Sequence, residues 1–333
     1  MSDAKARPSR AGVREVAAAA GVSTQTVSRV INGQLNVRPE TRERVVAAMT
    51  ALDYRVNNAA RTLGTRTTRT IGVIASDATL YGPAVGIAAL ESAAREVGRW
   101  IATAYADAAD EASVAAAADR LLSQGVDGLI VLAPHAPTFS SLTAAYPGIA
   151  IAGLHMHDAA AGQRTGAASA VRHLIELGHR RIGRLAGPDE WIEATARDEG
   201  AVAELAASGL DPGPRWSGDW SAEAAARLAA DIAVAVRGAD GLTAVAVAND
   251  QMALGLMAGL RSAGLRVPED VSITGFDDNP DAAFYAPALT TVRLDLLGEA
   301  RRGVAAVLSM TDAASPAPPA LVVRGSTAPP RRP

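Results

Sequence analysis

His155, His157 and Asp158 put three potential metal ligands into one short loop, the residue types that hold zinc. Three such residues in one loop are more often a solvated turn, and no metal is expected there. Other reactive constellations are missing. No Gly-rich phosphate loop follows a strand at the required spacing, and neither His-Glu-x-x-His nor Gly-x-Ser-x-Gly occurs. The 333 residues include no cysteine, which removes thiolate nucleophiles, zinc ribbons, iron–sulfur clusters and disulfides together. The sequence therefore predicts neither an enzyme nor a cofactor. What it offers is binding chemistry. Residues 1–66 carry eleven Lys and Arg against five acids, a net +6, whereas the whole chain is −3 and its remainder −9. A small basic head on a larger acidic body points to a polyanion as partner of the head alone.

The elements that must present those charges can be read from apolar spacing. Val13, Val16, Ala17 and Ala20 recur at helical intervals, and Gly21 stops that helix. Ser23 offers an N-cap to a second helix with the stripe Val27, Val30 and Ile31. Asn32-Gly33 marks a turn. Pro39 then opens a third helix with the stripe Val45, Val46, Met49 and Leu52. Two helices joined through Ala-Gly-Val-Ser make a helix-turn-helix, whose second helix enters the DNA major groove.

From Ile71 the texture changes. Short apolar runs (Ile71–Ala75, Gly128–Leu132, Ile149–Ala152, Arg181–Leu185, Ala244–Ala248, Val271–Gly275) alternate with helical patterns near Val85–Val97, Ala112–Leu122, Gly166–Leu177, Ala194–Ser208, Ala222–Val236 and Gln251–Ala263. Repeated β-then-α units predict an α/β body of parallel sheets flanked by helices, binding ligands beyond the carboxyl ends of its strands. Apolar residues at 49% supply ample core. A last strand is expected at Leu321–Arg324, with the Pro-rich stretches Ser315–Pro319 and Ala328–Pro333 disordered around it. No uninterrupted apolar run of about 18 residues occurs, so no membrane helix is expected. A polar, basic N-terminus predicts no signal peptide, and a cytoplasmic location follows.

The chain resembles the LacI/GalR family of transcriptional regulators. The resemblance rests on Gly21-Val22-Ser23-Thr24-Gln25-Thr26-Val27-Ser28-Arg29-Val30, on Arg42 to Leu52 with Tyr54, on Glu176-Leu177-Gly178-His179, and on Leu185-Ala186-Gly187-Pro188. It is densest at Ala248-Asn249-Asp250-Gln251-Met252-Ala253-Leu254-Gly255 and Gly275-Phe276-Asp277-Asp278, and closes at Val323-Arg324-Gly325-Ser326-Thr327. It implies a helix-turn-helix headpiece over residues 1–66 with a hinge helix at 57–64, joined to a two-lobed periplasmic-binding-protein-like body over 67–333 that binds effector and dimerises.

In the head, the resemblance makes Thr24, Gln25 and Arg29 the base-reading residues. The chemistry agrees, since Gln pairs bidentately with adenine and Arg with guanine. Ser23, Ser28, Asn32, Asn36, Arg38 and Thr41 match phosphate-contacting positions. Asn57, Ala60 and Leu63 lie in the hinge helix, too short at eight residues to stand alone, with Leu63 as a minor-groove wedge. Val56 stands where the family usually has Pro, and Thr24 where an aromatic residue is found.

In the body, Arg197, Asn249 and Asp277 match polar effector contacts suited to the adjacent hydroxyls of a sugar. Ser76, Leu80, Gly82 and Pro83 match positions of the first lobe around the effector, Trp220 an aromatic wall or plain core, and Leu296 the place of a pocket Phe. Trp191 and Glu193 replace two small hydroxyl residues. Asp250 and Asp278 read as helix caps. The implied function is a repressor of sugar-catabolism genes, held on a palindromic operator in double-stranded DNA as a homodimer and released by a sugar, with a galactoside as first candidate. A corepressor-dependent, purine-type regulator and a sugar-binding protein of transport are the alternatives. The last residues, Thr327–Pro333, hold no apolar heptad, so a dimer rather than a tetramer is expected.

Overall fold

The computed structural model describes residues 11–31, 34, 36–54, 67–76, 79–132, 134–154, 158–311 and 314–331. The chain divides into two compact units, Met1–Thr68 and Arg69–Pro333. Asn32, Asn57, Ala60, Leu63 and the expected hinge helix 57–64 lie outside the described residues, as do His155 and His157.

The first unit holds three helices, α1 (Val13–Ala20), α2 (Thr24–Ile31) and α3 (Pro39–Ala51). Gly21 ends α1 at φ 64, a left-handed conformation natural to glycine, with its N–H turned back to Ala17 and Ala18 carbonyls. The Ser23 hydroxyl then accepts the Thr26 N–H at 3.1 Å and caps α2. Val16, Val27 and Val45 are fully buried where the three helices meet. Val46, expected in the α3 stripe, instead points to solvent at 51% exposure, and Ala48 takes its place against the core.

The second unit contains two parallel sheets. In the first lobe β1 (Thr70–Ala75), β2 (Trp100–Tyr105), β3 (Leu129–Val131) and β4 (Ile151–Gly153) lie in the order β2-β1-β3-β4. Helices α4 (Tyr81–Glu96), α5 (Glu111–Ser123) and α6 (Ala136–Ala145) connect them. Side chains alternate across this sheet with a period of two. Ile71, Val73 and Ile130 pack on α4, whereas Ile74, Leu129 and Val131 pack on α5 and α6. The second lobe repeats the plan with β5 (Ile182–Ala186), β6 (Arg215–Ser217), β7 (Ala244–Val247) and β8 (Ser272–Thr274) in the order β6-β5-β7-β8. Its helices are α7 (Asp158–Glu176), α8 (Ile192–Ala207), α9 (Ala222–Arg237) and α10 (Asp250–Ser262), followed by a 3₁₀ turn at Pro280–Phe284.

After β8 the chain returns to the first lobe. Strand β9 (Thr291–Arg293) leads into α11 (Leu296–Val307), whose Ala300, Val304 and Val307 complete the core beside α4. Strand β10 (Ala320–Val322) then pairs antiparallel with β9 and carries the chain back to the second lobe.

The terminal stretches expected to be disordered are fixed by hydrogen bonds wherever the structure describes them. Ala317 donates to Asp295 at 2.9 Å. The Ala328 carbonyl faces His179 Nε2 at 2.9 Å and accepts the Ser272 hydroxyl at 3.1 Å, and Arg331 pairs with Asp270 at 3.0 Å. Proline removes donors from a segment, but carbonyls remain, and side chains of the body meet them. Ser326 is the anchor. Fully buried, its hydroxyl accepts the Thr290 N–H and donates to the Ile273 carbonyl at 2.6 Å. Ser326→Ala orphans both groups and should cost about 1–3 kcal/mol, read as a lowered urea midpoint of the body.

Candidate functional site

A cavity of about 520 Å³, including the solvent at its mouth, opens between the two lobes. Leu80, Gly82, Pro83 and Leu132 line it from the first lobe, and Trp191, Glu193, Arg197, Trp220, Asn249, Gln251 and Asp277 from the second. Most follow the carboxyl end of a strand, where open parallel sheets place their ligands. Leu132 follows β3, Trp191 β5, Asn249 β7 and Asp277 β8.

Arg197 is buried, at 7% exposure. Its Nε donates to Gln163 at 2.7 Å, Nη1 to the Ala248 carbonyl at 2.5 Å, and Nη2 lies 3.2 Å from an Asp277 oxygen. The guanidinium stacks on Phe276 at 3.9 Å and faces Trp220 at 5.5 Å. It is thus a fixed fork of donors at the cavity wall. Trp220 serves as wall and core at once: it is 7% exposed, packs in the second-lobe core and borders the cavity. Its backbone sits at φ 72, a strained choice for a bulky residue, and the ring lies so close over Gly187 that a Cβ there would meet it at 2.3 Å.

Asn249 spends its amide locally. Its oxygen accepts the Met252 N–H at 2.8 Å as N-cap of α10, and its nitrogen donates to the Trp220 carbonyl at 3.0 Å. The cap is therefore Asn249, not Asp250. Asp250 is buried beneath it, accepting the Thr291 hydroxyl at 2.5 Å and the Asn279 N–H at 2.7 Å. Burial, with Asp277 and Asp278 nearby, pushes its carboxyl up to about 8. Asp278 also caps nothing: it receives Arg293 at 2.5 Å and Arg324 at 2.6 Å, tying β9 and the tail to the end of β8.

Of the expected effector residues, Leu80, Pro83, Trp191, Arg197, Trp220, Asn249 and Asp277 meet at this cavity, and Ser76 and Leu296 do not line it. Leu296 opens α11, a helix whose core side turns to the first-lobe cluster, and Ser76 follows β1 in a loop set back from the cavity lining. Gln251 had no assigned role, yet it borders the cavity and its side-chain oxygen accepts the Tyr81 N–H across the lobes at 2.9 Å. Leu132 was also missed, although its place just beyond β3 is the signal that finds such residues. In the head, Thr24, Gln25 and Ser28 share the exposed side of α2 opposite Val27 and Val30, with Arg29 half-exposed beside them. Ser23, Asn36 and Arg38 are exposed and Thr41 half-buried. Among the described residues no group of three or more His, Asp or Glu side chains could hold a metal ion, and no helix is long and apolar enough to cross a membrane.

Residues 13–57 match the model of bacterial regulatory proteins of the lacI family, and residues 171–327 that of the periplasmic binding protein-like domain. The lactose operon repressor of Escherichia coli strain K12 is 36% identical over 296 residues, spanning 86% of this chain and 81% of the repressor. The chain belongs to the lacI family. It is a helix-turn-helix transcriptional regulator with a periplasmic-binding-protein-like body, as the resemblance implied. Among solved structures, a Lac repressor dimer bound to operator and the anti-inducer ONPF matches this LacI-family chain at a TM-score of 0.79 and 31% identity, over 96% of this chain and all of that one. The complex of the regulator CelR with cellobiose matches at a TM-score of 0.64 and 28% identity, over 95% of this chain and all of that one.

The buried carboxyl of Asp250 sets a pH dependence. Between its ordinary value of 3.8 and about 8 the folded regulator holds a proton that the unfolded chain has released. This group therefore makes stability fall as pH rises through that window. Asp250→Asn should flatten the slope, so that its melting temperature gains on the parent from pH 5 to pH 8. Parallel pH profiles for the two proteins would show that the carboxyl is ionised when folded.

Proposed function

We propose that this LacI-family protein is a repressor that binds a palindromic operator as a homodimer and is released when a sugar occupies the cavity between its lobes, without enzymatic activity. The observation that carries the reading is the joining of Arg197, Asp277 and Asn249 with two indole rings at one cavity. A fixed guanidinium and carboxylate present donors and acceptors to neighbouring hydroxyls, while Trp191 and Trp220 offer faces to a pyranose ring. The operator and anti-inducer of the Lac repressor complex and the cellobiose of CelR support it, and a galactoside or a β-glucoside is the first ligand to try. In this reading residues 1–66 form the DNA-binding head and 67–333 the effector and dimerisation body. Thr24, Gln25 and Arg29 read bases, and Ser23, Ser28, Asn36, Arg38 and Thr41 hold phosphates. Asn32, Asn57, Ala60 and Leu63 complete that set on the sequence alone.

Operator titration of two variants tests the division of labour. Arg29→Ala should cost about 1–3 kcal/mol and relax specificity at one base pair per half-site. Asp277→Ala should leave operator affinity nearly intact while abolishing the sugar response, a coupling of about 1–3 kcal/mol in regulators of this kind. Loss of operator binding in a folded Asp277→Ala protein equal to that of Arg29→Ala would refute the two-site reading.

A further inference from the structure

The cavity is closed on one side by a wall one residue pair thick. Residues 134–136, leading from β3 into the first residue of α6 in the first lobe, run antiparallel to residues 190–192, leading from β5 into the first residue of α8 in the second. Ala136 donates to the Glu190 carbonyl at 3.0 Å, and Ile192 donates to the Pro134 carbonyl at 3.3 Å. His135 and Trp191 are direct partners in this bridge. Over it, His135 Nε2 lies 3.2 Å from a Glu190 carboxylate oxygen.

The wall has two sides, and successive residues alternate between them. Trp191 and Glu193 line the cavity. Glu190, Ile192 and Thr195 line an open groove between α6 and the α7–α8 pair, together with Ala136 and Ser140. A ligand in the groove is therefore separated from one in the cavity only by the bridge itself.

The bridge is held under load. Glu190 sits at φ +66, a conformation that favours glycine. His135 is 8% exposed, and its Nδ1 is buried with no hydrogen-bond partner among the described residues. Opening would release the backbone strain and return Nδ1 to water, so the closed form rests on two backbone bonds and one half-exposed polar pair. Nothing covalent ties the lobes together here, because the chain crosses between them on the segments following β4, β9 and α11. An element closed by so few contacts opens locally at low cost.

We propose that the pairing of residues 134–136 with 190–192 is the gate of the effector cavity: it parts to admit the ligand from the groove, and its closure sets how long the ligand stays. His135 and Glu190 act as positioning residues, through the bridge rather than by touching the ligand. The proposal rests on the reading of the cavity as the effector site, and its test separates the two.

The chain has no cysteine, so a His135→Cys/Trp191→Cys pair can form only one disulfide within a protomer. Partners in a bridge of this hydrogen-bonding pattern stand about 4.5 Å apart at Cα, within disulfide reach. In this variant, with the exposed Trp100 also replaced by Phe, acrylamide quenching of the remaining indoles should fall when the disulfide is formed and recover on reduction. That readout needs no sugar. Methyl β-galactoside and cellobiose then serve as ligand probes by stopped-flow fluorescence. The oxidised protein should associate at least tenfold more slowly than the same protein reduced. Glu190→Ala, which keeps the backbone strain and removes the carboxylate, should release the sugar at least threefold faster, with Glu190→Gln partly restoring the parent rate and operator affinity unchanged in both. If neither sugar binds the parent protein but oxidation of the variant still lowers quenching, the gate stands and the choice of sugar falls. If quenching is the same oxidised and reduced, or the release rate is unmoved in Glu190→Ala, the gate is overturned.

Discussion

A guanidinium removed from water must have its donors met, and much of the second lobe is arranged around meeting those of Arg197. Gln163 comes from α7, the Ala248 carbonyl from the end of β7, and Asp277 from the end of β8. The rings of Phe276 and Trp220 lie 3.9 and 5.5 Å from the guanidinium. Breaking one contact leaves a buried charge partly unpaired, so these four segments are held in a single relative position. The cavity wall is rigid for this reason, and a ligand finds its donors already aimed.

The same logic governs the passage between lobes. Asp278 gathers Arg293 and Arg324, and Asp250 gathers Thr291 and Asn279, so the ribbon of β9 and β10 is fastened to the floor of the cavity by carboxylates. One of them is an acid that burial keeps protonated at neutral pH. The lobes also meet through Tyr81 with Gln251, within reach of the charges of Asp277, Asp278 and Arg293, and through the bridge at His135 and Trp191.

Much of this was legible in the residues, and what was not has a common cause. Of the six strands found by apolar runs, five are buried along most or all of their length, and the sixth, β4, is a half-buried edge strand whose apolar run Ile149–Ala152 still marks it. Three were missed: β2 and β6 are edge strands with exposed Trp100, Tyr105 and Arg215, and β9 is three residues long and ends at exposed Arg293, so no long buried run marks them. The tail was misjudged because its partners, Ser272 and His179, are distant in sequence, and composition carries no information about them. Asp250 was read as the cap that Asn249 makes, because either residue type caps a helix. Only their partners tell which one does: Asn249 takes the Met252 N–H of its own helix, and Asp250 takes Thr291 and Asn279, distant in sequence. Ser76 and Leu296 were carried by correspondence of position, and correspondence does not fix where a side chain falls once its loop or helix shifts.

The swapped position of α11 bears on how the protein is made. The first lobe begins at β1, yet one layer of its core, Ala300, Val304 and Val307, is encoded some 150 residues after β4. At a ribosome adding about 5–20 residues per second, that layer arrives roughly 8–30 s after the sheet it covers. During this interval Ile71, Val73, Leu90 and Ile130 lack their final cover. The head, complete by Ala51, has no such wait and is finished long before the body. The nascent chain is therefore a folded basic module trailing an unfinished apolar sheet, a state in which it already carries its affinity for polyanions but is most exposed to aggregation and most in need of a chaperone.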